Sequence, residues 1–575
     1  MTSDMKKTTA ITMMTILLAI AACSADNGYN DDDDFFFYGP GSSMGNGGVT
    51  TGSGELVDFT VDIDRTTAEP ASTATPQYDD ATEDPLSENT FATEVAIDLS
   101  NPVAKTENGV EVTVNGNHIT ANHGTQKDIC YVVTGSTDNG SFTVIGDKKY
   151  EVKLSDVSIT NRDSAALNLL SGKRAFIVLS GTNKLTDGTT SLNSHKGALY
   201  CKGKLLFNGD GKLEVYGNYN NAIHSADYIV IEKGTNIYAK STQNHGIKAN
   251  DGIYINGGIV NVEVSALAAK GINCESNIVV SGGRTTVITT GNGTYDTTDR
   301  EAKGAAAVKC DSCFTMYDGE LYLRSTGSGG KGIKTDSLCT IKGGTIHIIT
   351  TGGLFSSNGD TASPKGIKAD DNLTIDGGTV MVRTSGTNGE GIESKKKLTV
   401  NGGTVMVAAY DDAINSAGDM YLNGGTIVAV GTNNDGIDAN GNMYISGGTI
   451  VAYGTGGAES GIDVGEQYKL SITGGNIFGI GGRVDANGTS TQGVATTSGS
   501  VSANATVTVG SGSTTLATFT MPPYSTSGTI MVSCPAMTSG SSYTLSLSSG
   551  SQTVTASSSI SGGIGGGGGR PGGRW

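Results

Sequence analysis

Eight acidic side chains and no Lys, Arg or His lie between Leu398 and Tyr468. They recur with an internal repeat, in which DDAINSAGDMYLNGGTIVAV is followed by DGIDANGNMYISGGTIVAYG and SGIDVGEQYKLSITGGNIFG. Carboxylates that return to the same place in every repeat, without a side-chain cation, need a counter-charge from elsewhere. A divalent cation supplies it most simply, and oxygen-only ligands favour calcium. The pattern therefore predicts a calcium site.

Two positions of the repeat carry most of these acids. Each repeat has a marker, usually Gly-Ile as in Gly436-Ile437, and the acids precede the marker or follow it by two places. The candidate metal ligands are Glu390, Glu393, Asp411, Asp412, Asn415, Asp435, Asp438 and Asp463. The alternative is a solvated acidic face at polar turn positions, which needs no metal.

The same two positions are basic earlier in the chain. They hold Lys248, Lys270, Lys303, Lys331, Lys334, Lys365 and Lys368. A column that changes from basic to acidic suits a long anionic partner, some of whose carboxylates pair with lysine while others are bridged by calcium. An acidic polysaccharide fits, with Lys331, Lys334, Lys365 and Lys368 as candidate contacts, whereas the alternative is lysines that only maintain solubility.

Three tyrosines are expected on the outer surface, where they could stack on sugar rings: Tyr254, Tyr421 and Tyr444. Outward tyrosines also stabilise sheets as cross-strand neighbours, so sugar stacking and a purely structural role are both open interpretations.

Repetition of three short segments predicts the elements that hold these residues. Six of the eight spacings between markers are 22 to 28 residues, and insertions before Gly304 and Gly366 explain the other two. Each segment alternates apolar and polar residues, as strands do, and Gly-Gly pairs mark the corners. We expect an all-β, right-handed parallel β-helix of about 10–12 coils with small β caps, its strands stacked at about 4.8 Å. A β-propeller needs about 40 to 50 residues per blade, and the nonapeptide calcium roll needs a GGxGxD pattern that is absent.

The chain divides by composition. Residues 1–22 are predicted to be a lipoprotein signal peptide, which has Lys6 and Lys7 before an apolar run and ends in a lipobox at Cys23, the expected lipidation site. Residues 23–90 suggest a flexible tether, 91–490 the β-helix that binds carbohydrate, 491–560 a small C-terminal β unit, and 561–575 a disordered Gly-rich tail. Asp31 to Asp34 follow soon after Cys23 and resemble the acidic surface-export signal of lipoproteins in one Gram-negative phylum, the alternative being a solvated charge run. The resemblance implies an outer membrane lipoprotein exposed at the cell surface and held to the membrane by its lipid.

The overall charge of −18 makes nucleic acid an unexpected partner, because an acidic surface repels phosphate. We expect a monomer. Cys310 and Cys313 form one CxxC without a second pair, so buried packing or a disulfide, including one with Cys339, is expected rather than zinc.

The DDAIN, NNDGID and SGID segments, the NGGTI and SGGTI corners, and ICYVVTGSTDNGSFTV resemble a family of secreted bacterial carbohydrate-binding β-helix proteins, typified by a clostridial polygalacturonate-binding protein. The resemblance covers roughly residues 91 to 560 and extends distantly to the polysaccharide-lyase-nine pectate lyases. It implies calcium bound by paired aspartates, a third aspartate three residues on and an acid one coil away. Asp411, Asp412 and Asn415 match this spacing with Asn in place of the third acid, and Asn434, Asp435 and Asp438 match it with Asn in place of the first.

A lyase also needs a base near the calcium, which is a lysine in the related enzymes. No Lys or Arg lies between Lys397 and Lys469, and the carboxylate neighbour of Lys368 would keep that lysine protonated. The sequence therefore predicts a non-catalytic, calcium-dependent binder of acidic, pectin-like polysaccharide. A pectate-lyase-type enzyme and a surface adhesin or structural β-helix are the alternatives.

Overall fold

Parallel strands dominate the molecule. The computed structural model describes residues 56–78 and 84–562 and the backbone of residues 50–51, and in this part of the chain the helical structure is one 3-10 turn, Leu86–Glu88. The strands form three stacked ladders, named A, B and C, and one passage through C, A and B makes a coil. About 15 coils stack, which confirms the predicted parallel β-helix. The coil count exceeds the expected 10–12 because the first coils lack the Gly-Ile marker.

Ladder C carries the marker positions. Its strands are His118–Asn122, Ser141–Ile145, Leu167–Leu169, Gly197–Cys201, Asn221–Ser225, Ile247–Ala249, Lys270–Cys274, Ala306–Cys310, Lys331–Thr335, Lys365–Ala369, Glu390–Ser394, Ile414–Ser416, Ile437–Ala439, Ser460–Val464 and Arg483–Asp485.

Ladder A follows ladder C in each coil. Its strands are Thr93–Asp98, Ile129–Thr137, Tyr150–Asn161, Ala175–Ser180, Leu205–Gly209, Tyr228–Ile231, Gly252–Ile255, Asn277–Val280, Phe314–Met316, Cys339–Ile341, Leu373–Ile375, Leu398–Val400, Met420–Leu422, Met443–Ile445, Leu470–Ile472 and Gly488–Val501.

Ladder B completes each coil and begins in the second half of the long strand Tyr150–Asn161. Its further strands are Thr182–Asp187, Lys212–Gly217, Asn236–Ser241, Ile259–Val264, Arg284–Thr289, Glu320–Ser325, Thr345–Thr350, Thr379–Thr384, Thr404–Ala409, Thr426–Gly431, Thr449–Tyr453 and Asn476–Gly481.

Alternation sets the inward and outward faces. Leu373, Ile375, Leu398 and Val400 are buried inside the coil, as expected from their spacing. The Gly-Gly corners also behave as predicted: Gly403 has a φ of 83°, and a Cβ there would meet the carbonyl oxygen of Gly378 at 2.6 Å. A side chain at this corner would therefore be strained both in its backbone and against the coil below.

Two insertions form antiparallel hairpins, Thr294–Asp296 with Glu301–Lys303 and Phe355–Ser357 with Asp360–Ala362. The first hairpin corrects one expected repeat marker, because Lys303 lies in it rather than in ladder C. The strand register instead pairs Lys270 with Ala306, and Ala306 with Lys331.

Antiparallel strands occur at both ends. At the start, Val110–Asn115 pairs with the first strand of ladder C, and Lys105–Glu107 pairs with Val110–Asn115. At the other end, Tyr524–Ser533 and Ser557–Ile560 pair with the last coils, and the strands Thr506–Ser511, Thr514–Thr520, Ser542–Leu547 and Gly550–Thr555 form a separate sheet. Phe519 of this sheet packs against Phe478 of ladder B, with ring centroids 5.7 Å apart.

Residues 56–78, named the strap, lie against the coils, which differs from the flexible tether expected for residues 23–90. Val57 and Val61 are buried, and Phe59 stacks on His347 with ring centroids 4.3 Å apart. The cause is visible in the sequence LVDFTVDID, where apolar and polar residues alternate as in an edge strand. Thr50–Thr51 pairs with Tyr524–Ser533.

The expected signal peptide, Cys23 and most of the Gly-rich tail lie outside the described residues. No helix among the described residues has the length and apolar character needed to span a bilayer. All seven described cysteines, including Cys310, Cys313 and Cys339, are free thiols. Burial raises the pKa of Cys339 to about 12, as expected for an inert packed thiol.

Candidate binding site on ladder C

The acidic and basic positions form two columns on the outer side of ladder C. The first column begins each strand or lies two residues before it, and the second column lies three residues after the first. The first column contains Asn221, His245, Lys270, Ala306, Lys331, Lys365, Glu390, Asp412, Asp435 and Ser460. The second column contains Tyr200, His224, Lys248, Asn273, Lys309, Lys334, Lys368, Glu393, Asn415, Asp438, Asp463 and Asp485.

The acidic half of the second column is continuous. Asn415 is the direct register partner of Asp438, and Asp438 is the partner of Asp463. Because neighbouring strands of a sheet lie about 4.8 Å apart, the side chains of adjacent coils in this column are neighbours. The sequence-predicted side chains are therefore brought together across successive coils.

Backbone contacts fix the orientation of the first-column carboxylates. The Asp435 N–H donates to Asp412 Oδ1 at 3.1 Å, and the Ser460 N–H donates to Asp435 Oδ1. Each carboxylate thus uses one oxygen to accept a bond from the next coil, and the second oxygen of Asp412 faces the Asn415 amide.

Asp411 and Asn415 flank this arrangement. Asn434 Nδ2 donates to Asp411 Oδ1 at 2.8 Å, and Asn415 Nδ2 lies 3.5 Å from Asp412 Oδ2. Asn415 Oδ1 is buried and has no hydrogen-bond partner. An orphaned amide oxygen beside carboxylates is the type of ligand that calcium accepts.

The pKa values show that these carboxylates are poorly compensated. Burial, followed by the charge of Asp463, raises the pKa of Asp435 to about 9 and that of Asp438 to about 8. Burial and then Asp438 raise the pKa of Asp412 well above its ordinary value. Burial and Asp485 raise the pKa of Asp463 to about 7, although Arg483 opposes them. A bound cation would reverse each shift.

Lysines of the second column in the basic half are paired with carboxylates of the same coil or the next one, whereas burial, followed by the charges of other lysines, lowers the pKa of Lys270 in the first column to about 7. Lys248 pairs with Glu275 at 2.7 Å, and Lys309 pairs with Asp311 and with Asp336. Farther along the column, Lys334 lies 3.6 Å from Asp336 and Lys368 lies 3.4 Å from Asp370. Sequence reasoning missed Lys309 because the hairpin insertion shifted the marker by three residues.

A buried ion network joins the two halves. Lys365 Nζ lies 2.8 Å from Glu390 Oε1 and 3.3 Å from Glu393 Oε2, and Lys395 lies 2.8 Å from Glu393 Oε1. Burial and Glu393 raise the pKa of Glu390 to about 7. Burial opposes ionisation of Glu393 as well, but Lys365 and Lys395 hold its pKa below the ordinary value.

Three of the four predicted ligand-binding lysines have little exposed surface. The exposed fractions are 6% for Lys331, 3% for Lys365 and 4% for Lys368. Lys334 has a side chain that is 18% exposed, so it is the most accessible of the four.

Tyr421 and Tyr444 lie on ladder A in the same two coils as Asn415 and Asp438. Their rings stack with centroids 4.8 Å apart and an interplanar angle of 15°, and Tyr444 is 37% exposed. Tyr254 is different, because it is 5% exposed and belongs to an apolar cluster with Tyr228. The structure therefore leaves one outward aromatic pair beside the acids and removes Tyr254 as a candidate.

No three His, Cys, Asp or Glu side chains in the described part of the chain converge closely enough to enclose a metal ion by themselves. An ion at the acidic half would therefore take further oxygens from Asn415, the backbone, water or a bound ligand. This donor set is open, oxygen-only and partly orphaned, which suits calcium and leaves positions for a ligand's own carboxylates.

Comparison with known proteins places the chain among carbohydrate-binding proteins. No curated protein matches it. A solved structure, titled as the polysaccharide lyase-like protein from C. thermocellum in its gadolinium derivative, shares 20% identity over 43% of this chain and 96% of that one, with a TM-score of 0.34. That likeness is too low to carry an argument. The profile of one protein family, described as carbohydrate-binding domain-containing protein, matches residues 115–266, 236–413 and 384–528, and the chain belongs to this family.

Proposed function

We propose that the protein binds acidic polysaccharide without cleaving it, through calcium held on the acidic half of ladder C. The observation that carries this proposal is the uncompensated column in which Asn415, Asp438 and Asp463 are direct register partners. Membership of a carbohydrate-binding family supports the sugar part of the proposal.

Calcium links the acids to an anionic sugar. Glu390, Glu393, Asp411, Asp412, Asn415, Asp435, Asp438 and Asp463 are the proposed sources of its protein ligands. Calcium takes six to eight oxygens, so an ion held by two coils keeps positions for a uronate carboxylate. Without the ion, a polyuronate would meet like charge and be repelled.

The stacked pair Tyr421 and Tyr444 is the proposed sugar platform. It lies in the coils of the acidic half, and Lys397 Nζ lies 6.0 Å from the Tyr421 ring centroid. Lys334 is the proposed lysine contact, with Lys331 as a less exposed one, while Lys365 and Lys368 act in this proposal mainly by balancing the buried Glu393.

The proposed location is the outer surface of the outer membrane, with the chain held by a lipid on Cys23. Radiolabelled fatty acid incorporation that depends on Cys23 is the expected result. Equal incorporation in Cys23→Ala would contradict the anchor.

Retention on immobilised polygalacturonate tests binding. We expect retention with calcium, release by EDTA, and no new absorbance from unsaturated uronides. Calcium-independent retention or no retention would contradict the proposal, and product release would establish a lyase.

The lyase alternative keeps one supporting observation, which is the closeness of Lys368 to the acidic half. Its register partner Glu393 would favour the protonated lysine and thus oppose its use as a base.

A further inference from the structure

Two histidines lie at the opposite end of the columns from the acids. His224 belongs to the second column, and His245 belongs to the first column one coil later. Sequence reasoning assigned neither of them a role.

Hydrogen bonds determine where His224 carries its proton. The backbone N–H of His245 donates to the Asn221 side-chain oxygen, Oδ1, at 3.1 Å. The Asn221 side-chain nitrogen, Nδ2, is therefore the donor of this amide. That Nδ2 group lies 3.0 Å from His224 Nδ1. Since Nδ1 accepts a bond, the proton of a neutral His224 ring is on Nε2.

The same reasoning applies to His245. The Lys270 N–H donates to His245 Nδ1 at 3.0 Å, and a backbone N–H can only donate. The proton of neutral His245 is therefore also on Nε2.

Both rings are held neutral. Burial, then Lys248 and Lys196, lower the pKa of His224 to about 4. Burial, then Lys270 and Lys248, lower the pKa of His245 to about 3. At neutral pH each ring is a fixed hydrogen-bond donor rather than a cation.

The ring nitrogen Nε2 of His224 lacks a hydrogen-bond partner. The residue is 5% exposed, and this nitrogen is buried without a hydrogen-bond partner. A buried N–H without an acceptor destabilises the fold, and folded proteins keep few such groups unless an unseen partner satisfies them. A metal does not satisfy it, because the nitrogen carries a proton and the neighbouring lysines repel cations.

We propose that the His224 Nε2–H, with His245 and Lys248 beside it, forms a calcium-independent site for an oxyanion group, either a carboxylate or a sulfate carried by a glycan. Lys248 is paired with Glu275 at 2.7 Å, yet its ammonium has three donors and can serve a second acceptor. The Glu275 carboxylate offsets part of the lysine charge, so the imidazole N–H donors, together with the remaining ammonium donors, are what select a group made only of acceptors.

The source of the oxyanion rests on the proposed function, because a glycan that carries carboxylates is already the expected ligand. The site itself does not depend on calcium. It would add a second anchoring point several coils away from the acidic half, and the two points would act together on one long chain.

Calorimetry in EDTA, with ionic strength held constant by chloride, tests the site with sodium sulfate and with a galacturonate hexamer. We expect both ligands to bind the wild-type protein. His224→Phe, which keeps a ring but removes the donor, should weaken sulfate binding by about tenfold. His118→Phe and Asp438→Asn should leave sulfate binding unchanged.

Absence of sulfate binding to the wild-type protein, or equal binding by His224→Phe, would overturn the site and leave a trapped water as the partner of Nε2. Sulfate binding without hexamer binding in EDTA would overturn the glycan as the source and assign a free anion. Loss of calcium-dependent retention in Asp438→Asn reports separately on the proposed function.

A second measurement covers a folding failure of His224→Phe. The protein has six histidines, so selective labelling of their rings gives few magnetic resonance signals. Sulfate should shift the signals of His224 and His245 and leave that of His118 in place, and unshifted signals would overturn the proposal.

Discussion

The basic and acidic halves of ladder C share one backbone register but treat charge in opposite ways. In the basic half, a lysine is followed two residues later by an acid, as with Lys309 and Asp311 or Lys368 and Asp370. In the acidic half, the corresponding position after Asp438 is Asn440, whose Nδ2 donates to Asp438 Oδ2 at 3.0 Å. One half is thus neutralised within its own coils, and the other needs a charge from outside.

This difference shows that a column of like charges is not by itself a binding site. The second-column lysines Lys248, Lys309, Lys334 and Lys368 already have carboxylate partners, so that column can be explained by folding alone. The buried carboxylates raise one another's pKa, so their column is where a cation of the kind proposed here would gain the most.

The ion network at the junction of the two halves should give the largest effect. Lys365→Met would leave Glu390 and Glu393 buried without their shared cation, and loss of one buried partner costs about 3–5 kcal/mol. Hydrogen exchange of strand Glu390–Ser394 is the measurement, because solenoids open locally. Lys396→Met is the control, since its pair with Asp371 is on the surface and is worth about 1 kcal/mol or less. Equal protection in both variants would contradict the role of the network.

Calcium should stabilise only the acidic half. At a calcium concentration of about 100 times Kd, the expected gain in stability is about 2.7 kcal/mol. Asp438→Asn should remove most of the calorimetric signal, whereas Glu466→Gln, an exposed acid outside both columns, should keep it. A signal that Glu466→Gln loses equally would indicate diffuse counter-ions instead of a site.

The acidic half should also make stability depend on pH when calcium is absent. The folded-state pKa values of Asp435 and Asp438 are about 9 and about 8, above those of the unfolded chain. The folded state therefore binds more protons between these values, so the stability that is fully present below about pH 4 falls as the pH rises from there through about 9. Thermal unfolding in EDTA should show this fall, and calcium should reverse it. A flat profile in EDTA would mean that these carboxylates are well solvated.

The aromatic pair should give the smallest effect. Tyr444→Ala should weaken polyuronate binding by about two- to fivefold, because one partly exposed ring contributes about 0.5–1 kcal/mol. Tyr444→Phe keeps the ring and should bind like the wild type. If both variants bind normally, the pair serves only to stabilise ladder A.

Periodicity was sufficient to predict the columns. An isoleucine recurs at the inward marker position, as in Ile414, Ile437 and Ile462, and its register fixes the neighbours on either side. The register pairing of Asp438 with Asp463 follows directly from that spacing.

Other features depend on information that spacing does not contain. Lys303 was misplaced because an insertion can leave the coil and return at a different residue. The small exposure of Lys365 and the covering of Tyr254 depend on neighbours far away in the sequence. The proposed role of His224 depends on its hydrogen bond with Asn221, which no sequence motif indicates.

The strap connects coils that otherwise meet only through the coils between them. Asp62 accepts from Arg324 at 2.8 Å, while Arg65 contacts Glu214, whose strand lies four coils away from that of Arg324 in ladder B. A stack with nearest-neighbour contacts alone can peel apart one layer at a time. Because the strap contacts coils at both of these points, the coils between them must separate together. The strap therefore strengthens the stack against tension along its axis.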